Sequence, residues 1–210
     1  MDDILIKNNQ PGLLIIIEGI DGTGKSTQVT MLAEALEALG CQVVATREPT
    51  SGFYGQKIRQ LYSDRSGVTK QQELELFLAD RRQHVEELIG PALQRGEVVI
   101  SDRYYLSTAA YQGASGLDAA EIVRCNEEFA PRPDLALLIE IPVSQSIHRI
   151  ENLRQDNLNA FEQEDNLAKV ASVFQAMDYD YIKRIDGGKS IEEVHSSIMM
   201  QVRPLLTSLD

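Results

Sequence analysis

The sequence contains no tryptophan and only two cysteines, Cys41 and Cys125, in 210 residues. The cysteines form neither a CxxC pair nor a spacing typical of a metal site, so we predict free, partly buried thiols without a functional role. Aromatic residues make up 6% of the chain, although 43% of it is hydrophobic. This composition predicts a mainly aliphatic core, large enough for one domain.

Long apolar runs are also missing. No run approaches the ~18 residues of a membrane-spanning helix. The opening residues MDDILIKNNQPG lack the basic start and the apolar stretch of a signal peptide. From these two features we expect a soluble, cytoplasmic protein without a membrane partner.

Positive charge is scarce, with 20 Lys and Arg against 32 Asp and Glu and a net charge of −12. Such a surface repels nucleic acids and anionic membranes, which argues against a nucleic-acid partner. An anionic ligand must therefore be held by a local group of basic residues.

Short apolar runs alternate with longer helical patterns along the chain. Near-continuous apolar runs predict strands buried on both faces, as in a parallel sheet. These runs are Leu13–Glu18, Gln42–Arg47, Glu97–Asp102 and Leu135–Ile141, with a weaker fifth at Tyr181–Asp186. The predicted helices are Ser26–Leu39, Lys70–Gln94, Asp118–Phe129 and Ile191–Leu206. The alternation predicts one doubly wound α/β domain over residues 1–210, with ligands at the carboxyl ends of the strands.

One stretch breaks this pattern. Residues Glu151–Asp165 are polar and poorly periodic. We interpret residues 150–165 as a short lid inserted in the domain, the alternative being an ordinary polar loop.

The segment Gly19-x-x-x-x-Gly24-Lys25-Ser26 follows the most apolar strand and opens a helix, which is the context of a P-loop. Its glycines let backbone N–H groups converge on phosphates, and the helix N-terminus adds partial positive charge. Lys25 is predicted to reach the β- and γ-phosphates of ATP, and Ser26 to bind Mg²⁺. The predicted ATP site comprises Gly19, Ile20, Asp21, Gly22, Thr23, Gly24, Lys25, Ser26 and Thr27.

The class of P-loop protein follows from what surrounds the loop. The chain has no Asn-Lys pair and hence no NKxD guanine motif of a GTPase switch. Motor ATPases are usually larger. A short chain with an acidic residue, Asp21, inside the P-loop favours a kinase of a small molecule. A nucleotide-binding switch with a degenerate acceptor site is the alternative from another class.

Charged residues follow the second and third predicted strands. Asp102 ends the run VVIS, the position of a Walker-B-type carboxylate that holds Mg²⁺ or orients the attacking oxygen. Arg103 could clamp a phosphate bidentately, and Arg47 ends the second strand. The structural alternative is a helix N-cap at Asp102 beside a solvated arginine.

Two further pairs suit a flat ligand. Phe77 and Arg81 lie four residues apart and share one helix face, so a ring could stack while a guanidinium reads an edge. Thr108 and Tyr111 share a face in STAAYQG. The alternative for the first pair is a core phenylalanine beside a surface arginine.

Together, the segments EGIDGTGKST, TREP, FLADRRQH, SDRYYLSTAAYQG and IDGGKSIEEV resemble the thymidylate kinase family in order and spacing, from about Leu14 to Val202. The resemblance implies phosphoryl transfer from ATP to dTMP, giving ADP and dTDP, with Mg²⁺. It also implies a P-loop kinase fold with a five-stranded parallel sheet, helices on both faces and a short lid, and a homodimer packed through helices. A kinase for another nucleoside monophosphate, or for a nucleoside, is the close alternative.

The resemblance also implies roles for individual residues. Phe77 would stack on the thymine, Arg81 would bond its O4 edge, and Thr108 would contact the base. Tyr111 would crowd the 2′ position of the sugar, so that deoxyribose fits and ribose does not. The implied substrate-binding residues are Asp21, Arg47, Glu48, Pro49, Phe77, Arg81, Arg103, Thr108, Tyr111 and Gln112.

In the same way, Arg47 and Arg103 would hold the acceptor phosphate, which favours an acceptor that is already phosphorylated. Asp102 would lie at the metal with Ser26, and Asp21 would face the acceptor's 3′-hydroxyl and the metal region. The predicted catalytic residues are Lys25, Asp21, Asp102, Arg154 and Arg149.

Arg154 and Arg149 are predicted because the P-loop lacks an arginine. Phosphoryl transfer needs positive charge on the transferring group, which the family supplies by an arginine in the P-loop or in the lid. The variable P-loop residues Ile20-Asp21-Gly22-Thr23 contain no arginine. We therefore expect it from Arg154 in the lid, with Arg149 on the preceding helix as second candidate. A surface salt bridge is the alternative for each.

Overall fold

A computed structural model describes residues 11–63, 65–154 and 164–206, apart from the side chains of Ser63, Leu153 and Arg154. The described part contains a five-stranded sheet in the order β2-β3-β1-β4-β5. All neighbouring strands pair in parallel. The strands are β1 Leu13–Glu18, β2 Val43–Arg47, β3 Val98–Asp102, β4 Leu135–Glu140 and β5 Ile182–Asp186. The predicted five-stranded parallel sheet is confirmed.

The burial of the strands follows their place in the sheet. β1 and β3 are buried throughout, and β4 is buried except for Glu140. β2 is only partly buried, although its apolar sequence predicts a strand covered on both faces. That prediction is wrong because β2 is an edge strand, which pairs with β3 alone.

Register brings three strand ends together. Ile17 of β1 and Arg47 of β2 both pair with Asp102 of β3. The residues that follow β1, β2 and β3 therefore leave the same edge of the sheet side by side. This edge is where a doubly wound sheet binds ligands.

Helices cover both faces of the sheet. They are α1 Lys25–Ala38, α2 Phe53–Ser63, α3 Lys70–His84, α4 Gly90–Gln94, α5 Tyr105–Ala114, α6 Ala119–Glu127, α7 Val143–Arg154, α8 Glu164–Ala176 and α9 Ile191–Leu206. α1, α6 and α9 have nearly the predicted bounds. The sequence pattern did not predict α2, α5 and α8 as helices, whereas α7 is the helix before the proposed lid on which Arg149 was expected.

The predicted helix Lys70–Gln94 is interrupted. A π-helical turn, Val85–Ile89, separates α3 from α4, and the amide of Gly90 donates to the carbonyl of Val85. Pro91 follows at once and has no amide hydrogen, so the regular α-helical ladder cannot run through this point.

The predicted lid spans the end of one helix and the start of another. Residues 150–154 close α7, and Glu164 opens α8. Residues 155–163 lie outside the described part of the chain.

Alternating side chains of β1 divide the core into two layers. Leu13, Ile15 and Ile17 face a wholly aliphatic layer with α1 and α9. Leu14 and Ile16 face the other layer. The second layer is also mainly aliphatic, as predicted, and it contains these buried aromatic side chains: Tyr104, Tyr105, Phe174 and Tyr181.

Two further predictions concern the cysteines and the membrane. Cys41 and Cys125 are free and partly buried, as predicted. In the part of the chain that the structure describes, no helix combines the length and the apolar character needed to cross a membrane.

Substitution of a central strand residue should destabilise the whole fold. Ile16 is 0% exposed, so Ile16→Ala leaves a cavity and should lower the free energy of unfolding by about 2–5 kcal/mol. Ile191, which is 53% exposed, offers a matched control whose alanine variant should change stability by less than about 0.5 kcal/mol. Urea unfolding followed by circular dichroism measures both. Equal effects of the two substitutions would contradict this assignment of the core.

Candidate active site

The predicted P-loop connects β1 to α1 with a backbone that requires glycine. Gly22 has φ 77°, and a Cβ there would lie 2.7 Å from the carbonyl oxygen of Ser146. Gly24, with φ 92°, opens α1 and has no heavy atom within 4 Å of the position of a Cβ. The loop is thus packed on the α7 side and open at the helix N-terminus, the arrangement that phosphate binding uses.

Lys25, the first residue of α1, lies across this loop. Its Nζ donates to the carbonyl of Ile20 at 2.7 Å, and the residue is 6% exposed. Thr23 donates to the same carbonyl at 3.0 Å. Burial, with the charge of Arg103 as second cause, lowers the pKa of Lys25 to about 8. Thr27 is exposed on α1.

Ser26 and Asp102 are brought into direct contact. The Ser26 hydroxyl donates to Oδ2 of Asp102 at 2.5 Å. Mg²⁺ prefers oxygen ligands and commonly takes only one or two from the protein, the rest coming from phosphates and water. The pair fits this donor set. Among the described residues, no group of three or more His, Cys, Asp and Glu side chains could hold a metal ion.

Asp21 is paired with Arg103, which follows β3. Nη2 of Arg103 donates to Oδ1 of Asp21 at 2.7 Å, and the Tyr111 hydroxyl donates to Oδ2 at 2.8 Å. Burial alone would raise the pKa of Asp21, but the charges of Arg103 and Lys25 outweigh it and hold this pKa well below its usual range. The carboxylate therefore remains charged, and it links the P-loop to α5.

Arg103 has an unusual backbone and several partners. Its φ is 72°, which is rare outside glycine. Nη1 donates to the carbonyl of Gly19 at 3.2 Å and to the hydroxyl of Ser107 at 2.8 Å. The guanidinium carbon lies 5.1 Å from the centre of the Tyr111 ring.

Arg81 of α3 is 1% exposed and carries a network of its own. It donates to Asn126 at 2.6 Å, to Glu48 at 2.5 Å and to Thr108 at 3.0 Å. Its Nε is buried without a partner in the described structure. An unsatisfied buried donor is costly, and a ligand atom is one way to satisfy it.

Glu48 lies behind this arginine. Its second oxygen shares a 3.0 Å hydrogen bond with Nδ1 of His84, whose Nε2 is 2.8 Å from the Thr46 hydroxyl. Burial would raise the pKa of Glu48, but the charge of Arg81 outweighs it and the pKa is lowered. In the structure this predicted substrate residue supports Arg81.

The other predicted acceptor residues lie on α3, on α5 and in the segment that follows β2. Phe77 is half-buried one turn earlier on α3, and Tyr111 is half-buried on α5. Gln112 is buried and donates to Glu73 at 3.1 Å. The carbonyl of Pro49 accepts a 2.6 Å hydrogen bond from Arg59.

The three remaining predicted arginines are Arg47, Arg149 and Arg154. Arg47 is exposed and lines a cleft of about 670 Å³ that also contains Ser26 and Asp102. Arg149 donates to the carbonyl of Gly187, after β5, at 3.1 Å. Arg154 is the last residue of α7, and its side chain lies outside the described part.

Comparisons with known proteins give this site a family. Residues 17–198 match a family model described as Thymidylate kinase. A thymidylate kinase of Desulfotalea psychrophila is 55% identical over 199 residues, which are 95% of this chain and 98% of that protein. The chain belongs to the thymidylate kinase family. Those of Xanthomonas campestris pv. campestris (47% identity; 87% of this chain and 79% of that protein) and Akkermansia muciniphila (46%; 89% of each) are also similar.

The predicted resemblance to thymidylate kinases is therefore confirmed, and with it the P-loop kinase fold and the assignment as a kinase. Sequence reasoning missed several polar residues that support the site. They are Glu18, Asp80, Ser107, Asn126 and Ser146.

Two of these residues show why the sequence does not reveal the whole site. Ser146 of α7 donates to the carbonyl of Asp21 at 2.5 Å, and Asp80 accepts from the backbone and the hydroxyl of Thr50 at 2.8 and 2.6 Å. The only sequence signal for Asp80 is its place beside Arg81. Nothing near Ser146 in the sequence points to the P-loop.

ATP affinity should fall as the pH rises through the pKa of Lys25. Its folded pKa of about 8 lies below the ordinary value, so above pH 8 the free protein has lost the proton that attracts the phosphates. We expect the Kd of a non-hydrolysable ATP analogue to rise about tenfold between about pH 7 and pH 9. Titration calorimetry measures this change. Lys25→Ala should bind more weakly without this step, and a flat profile in the wild type would contradict the assignment.

Proposed function

We propose that the protein transfers the γ-phosphoryl group of ATP to dTMP, giving ADP and dTDP. The observation that carries this proposal is the direct hydrogen bonding of the P-loop residue Asp21 to Arg103 and Tyr111. These contacts connect the loop that would bind the phosphate donor to Arg103, after β3, and to the ring of Tyr111 on α5. In this proposal, donor and acceptor meet at one edge of the sheet.

The polarity of the groups around Arg81 supports thymine as the base. Thr108 accepts from Arg81, so its hydroxyl hydrogen remains available for another acceptor. The unpartnered Nε of Arg81 is likewise a donor. Two donors suit a keto oxygen, such as O4 of thymine, and disfavour the amino group that cytosine carries at the same position. Phe77, one turn away on α3, would stack on the ring.

The sugar and phosphate would lie between Tyr111 and the two strand-end arginines. The hydrogen bond to Asp21 fixes the Tyr111 ring, which we propose excludes a 2′-hydroxyl. Arg103 would bind the acceptor phosphate, with Arg47 from the adjoining cleft. Asp21 would then face the 3′-hydroxyl side.

On the donor side, residues 19–27 would hold ATP, with Lys25 on the β- and γ-phosphates. Ser26 and Asp102 would hold Mg²⁺, which when bound neutralises charge on the phosphate oxygens. The 2.5 Å contact between their oxygens supports this assignment. Residues 150–165 would form a lid within a single domain. We also propose a cytoplasmic homodimer, on the family resemblance; sedimentation equilibrium tests the dimer.

An acceptor panel tests the proposed reaction. We expect ADP formation to be fastest with dTMP, followed by dUMP. The value of kcat/KM should be at least ~100-fold lower for dCMP, because donors would face its amino group. dGMP, the ribonucleotide of thymine and thymidine should also react poorly.

The panel also separates the alternatives. Faster turnover of another monophosphate would identify a different nucleotide kinase, and preference for thymidine a nucleoside kinase. Firm ATP binding without ADP formation for every acceptor would instead favour a nucleotide-binding switch.

The charge on the transferring group should come from Arg154. The variable P-loop residues contain no arginine, and we assign Arg47 and Arg103 to the acceptor. Arg154→Ala should lower kcat at least ~100-fold with little change in the free energy of unfolding. Arg149→Ala tests the second candidate, and Arg203→Ala on α9 is a surface control. Near-normal turnover of Arg154→Ala would contradict the assignment.

A further inference from the structure

We infer that Glu18 and Ser107 are positioning residues for the acceptor phosphate: Glu18 orients the hydroxyl of Ser107, and Ser107 holds the guanidinium of Arg103. Neither side chain is assigned a contact with ATP or dTMP. The inference rests on the proposed function, because it takes Arg103 as the group that binds the acceptor phosphate.

Glu18 is the last residue of β1 and is fully buried beside the P-loop. Its Oε1 accepts from the amides of Tyr104 at 2.9 Å and Ser107 at 3.1 Å, and its Oε2 accepts from the Ser107 hydroxyl. Both amides belong to the N-terminal end of α5, where the backbone N–H groups carry partial positive charge. Three donors on two oxygens fix this carboxyl group within the core.

The contact with Glu18 determines how Ser107 can meet Arg103. A serine hydroxyl has one hydrogen to donate, and here that hydrogen points to Glu18. The oxygen is therefore left to accept, and Nη1 of Arg103 donates to it at 2.8 Å. Without Glu18 the hydroxyl could turn its hydrogen toward the guanidinium, and the contact would be lost.

The hydrogen bonds of Nη1 matter because the other terminal nitrogen of Arg103, Nη2, has its partners within the proposed acceptor site. Nη2 donates to Asp21 at 2.7 Å and to Tyr111 at 3.3 Å. Both of these partners belong to the proposed acceptor site, and a bound phosphate would compete with Asp21 for this nitrogen. Ser107 and the carbonyl of Gly19 hold Nη1. We expect this hold to persist while Nη2 turns to the phosphate.

The test compares two ligands that differ only in the phosphate. Binding of dTMP and of thymidine to Ser107→Ala and to the wild type is measured by titration calorimetry without ATP, at about pH 8. We expect the dTMP affinity to fall about tenfold, the effect of losing one hydrogen bond to a charged group. Thymidine affinity should stay within about twofold, because thymidine has no phosphate for Arg103.

Three further variants make the comparison specific. Ser107→Thr keeps the hydroxyl and should restore most of the dTMP affinity. Ser197→Ala is a matched control, because that hydroxyl donates only to the carbonyl of Glu193, on α9, at 2.9 Å. In an Arg103→Ala background, Ser107→Ala should cause no further loss, since the two residues act through one contact.

Two outcomes would overturn the inference. Equal losses of dTMP affinity and thymidine affinity would mean that Ser107 only stabilises α5. An unchanged dTMP affinity would mean that Ser107 has no role in binding the acceptor phosphate. If Ser107→Ala does not fold, Ser107→Cys keeps the volume with a weaker acceptor and should show the same selective loss. A wild type that fails to phosphorylate dTMP overturns the proposed function instead.

Discussion

The ion pair between Asp21 and Arg103 is the interaction on which the two halves of the site depend. A carboxylate in a loop that binds anions would repel the ligand unless its charge were balanced. Arg103 balances it at 2.7 Å, and the same guanidinium contacts α5 through Ser107 and Tyr111. The acidic residue of the P-loop is thereby connected through Arg103 to α5.

The parallel sheet makes this pairing possible. Because Ile17 and Arg47 are both in register with Asp102, the P-loop, Arg47 and the Asp102–Arg103 segment lie at adjacent strand ends. A shift of register by one residue would turn each side chain to the opposite face. Every residue of β1 is buried, so such a shift would exchange the side chains that pack in its two layers.

A second buried charge, that of Arg81, lies at the proposed base site. Arg81 donates to Glu48, Asn126 and Thr108, and its Nε has no partner among the described residues. Such a network contributes little net stability, because the desolvation of its charges offsets their attraction. The network instead fixes the direction of the remaining donor, the Nε of Arg81.

The family, the P-loop and the strand ends could be predicted from the sequence, because each depends on local order. The apolar run Leu13–Glu18 predicts a buried strand, and the spacing of residues from Gly19 to Ser26 predicts the P-loop. Local patterns were insufficient even for some elements: the π-helical turn before Pro91 and the exposed edge of β2 depend on what lies beside them.

By itself, the sequence indicated the kind of chemistry, through a P-loop pattern and through an aspartate and arginines at the carboxyl ends of strands. Only the tertiary structure decided which side chains meet. Asp21 and Tyr111 are 90 positions apart, and Glu18 and Ser107 are 89 apart. The physical reason is that a hydrogen bond between distant residues requires a crossover, a strand register and a helix rotation to agree. The local spacing of residues along the chain does not indicate such contacts.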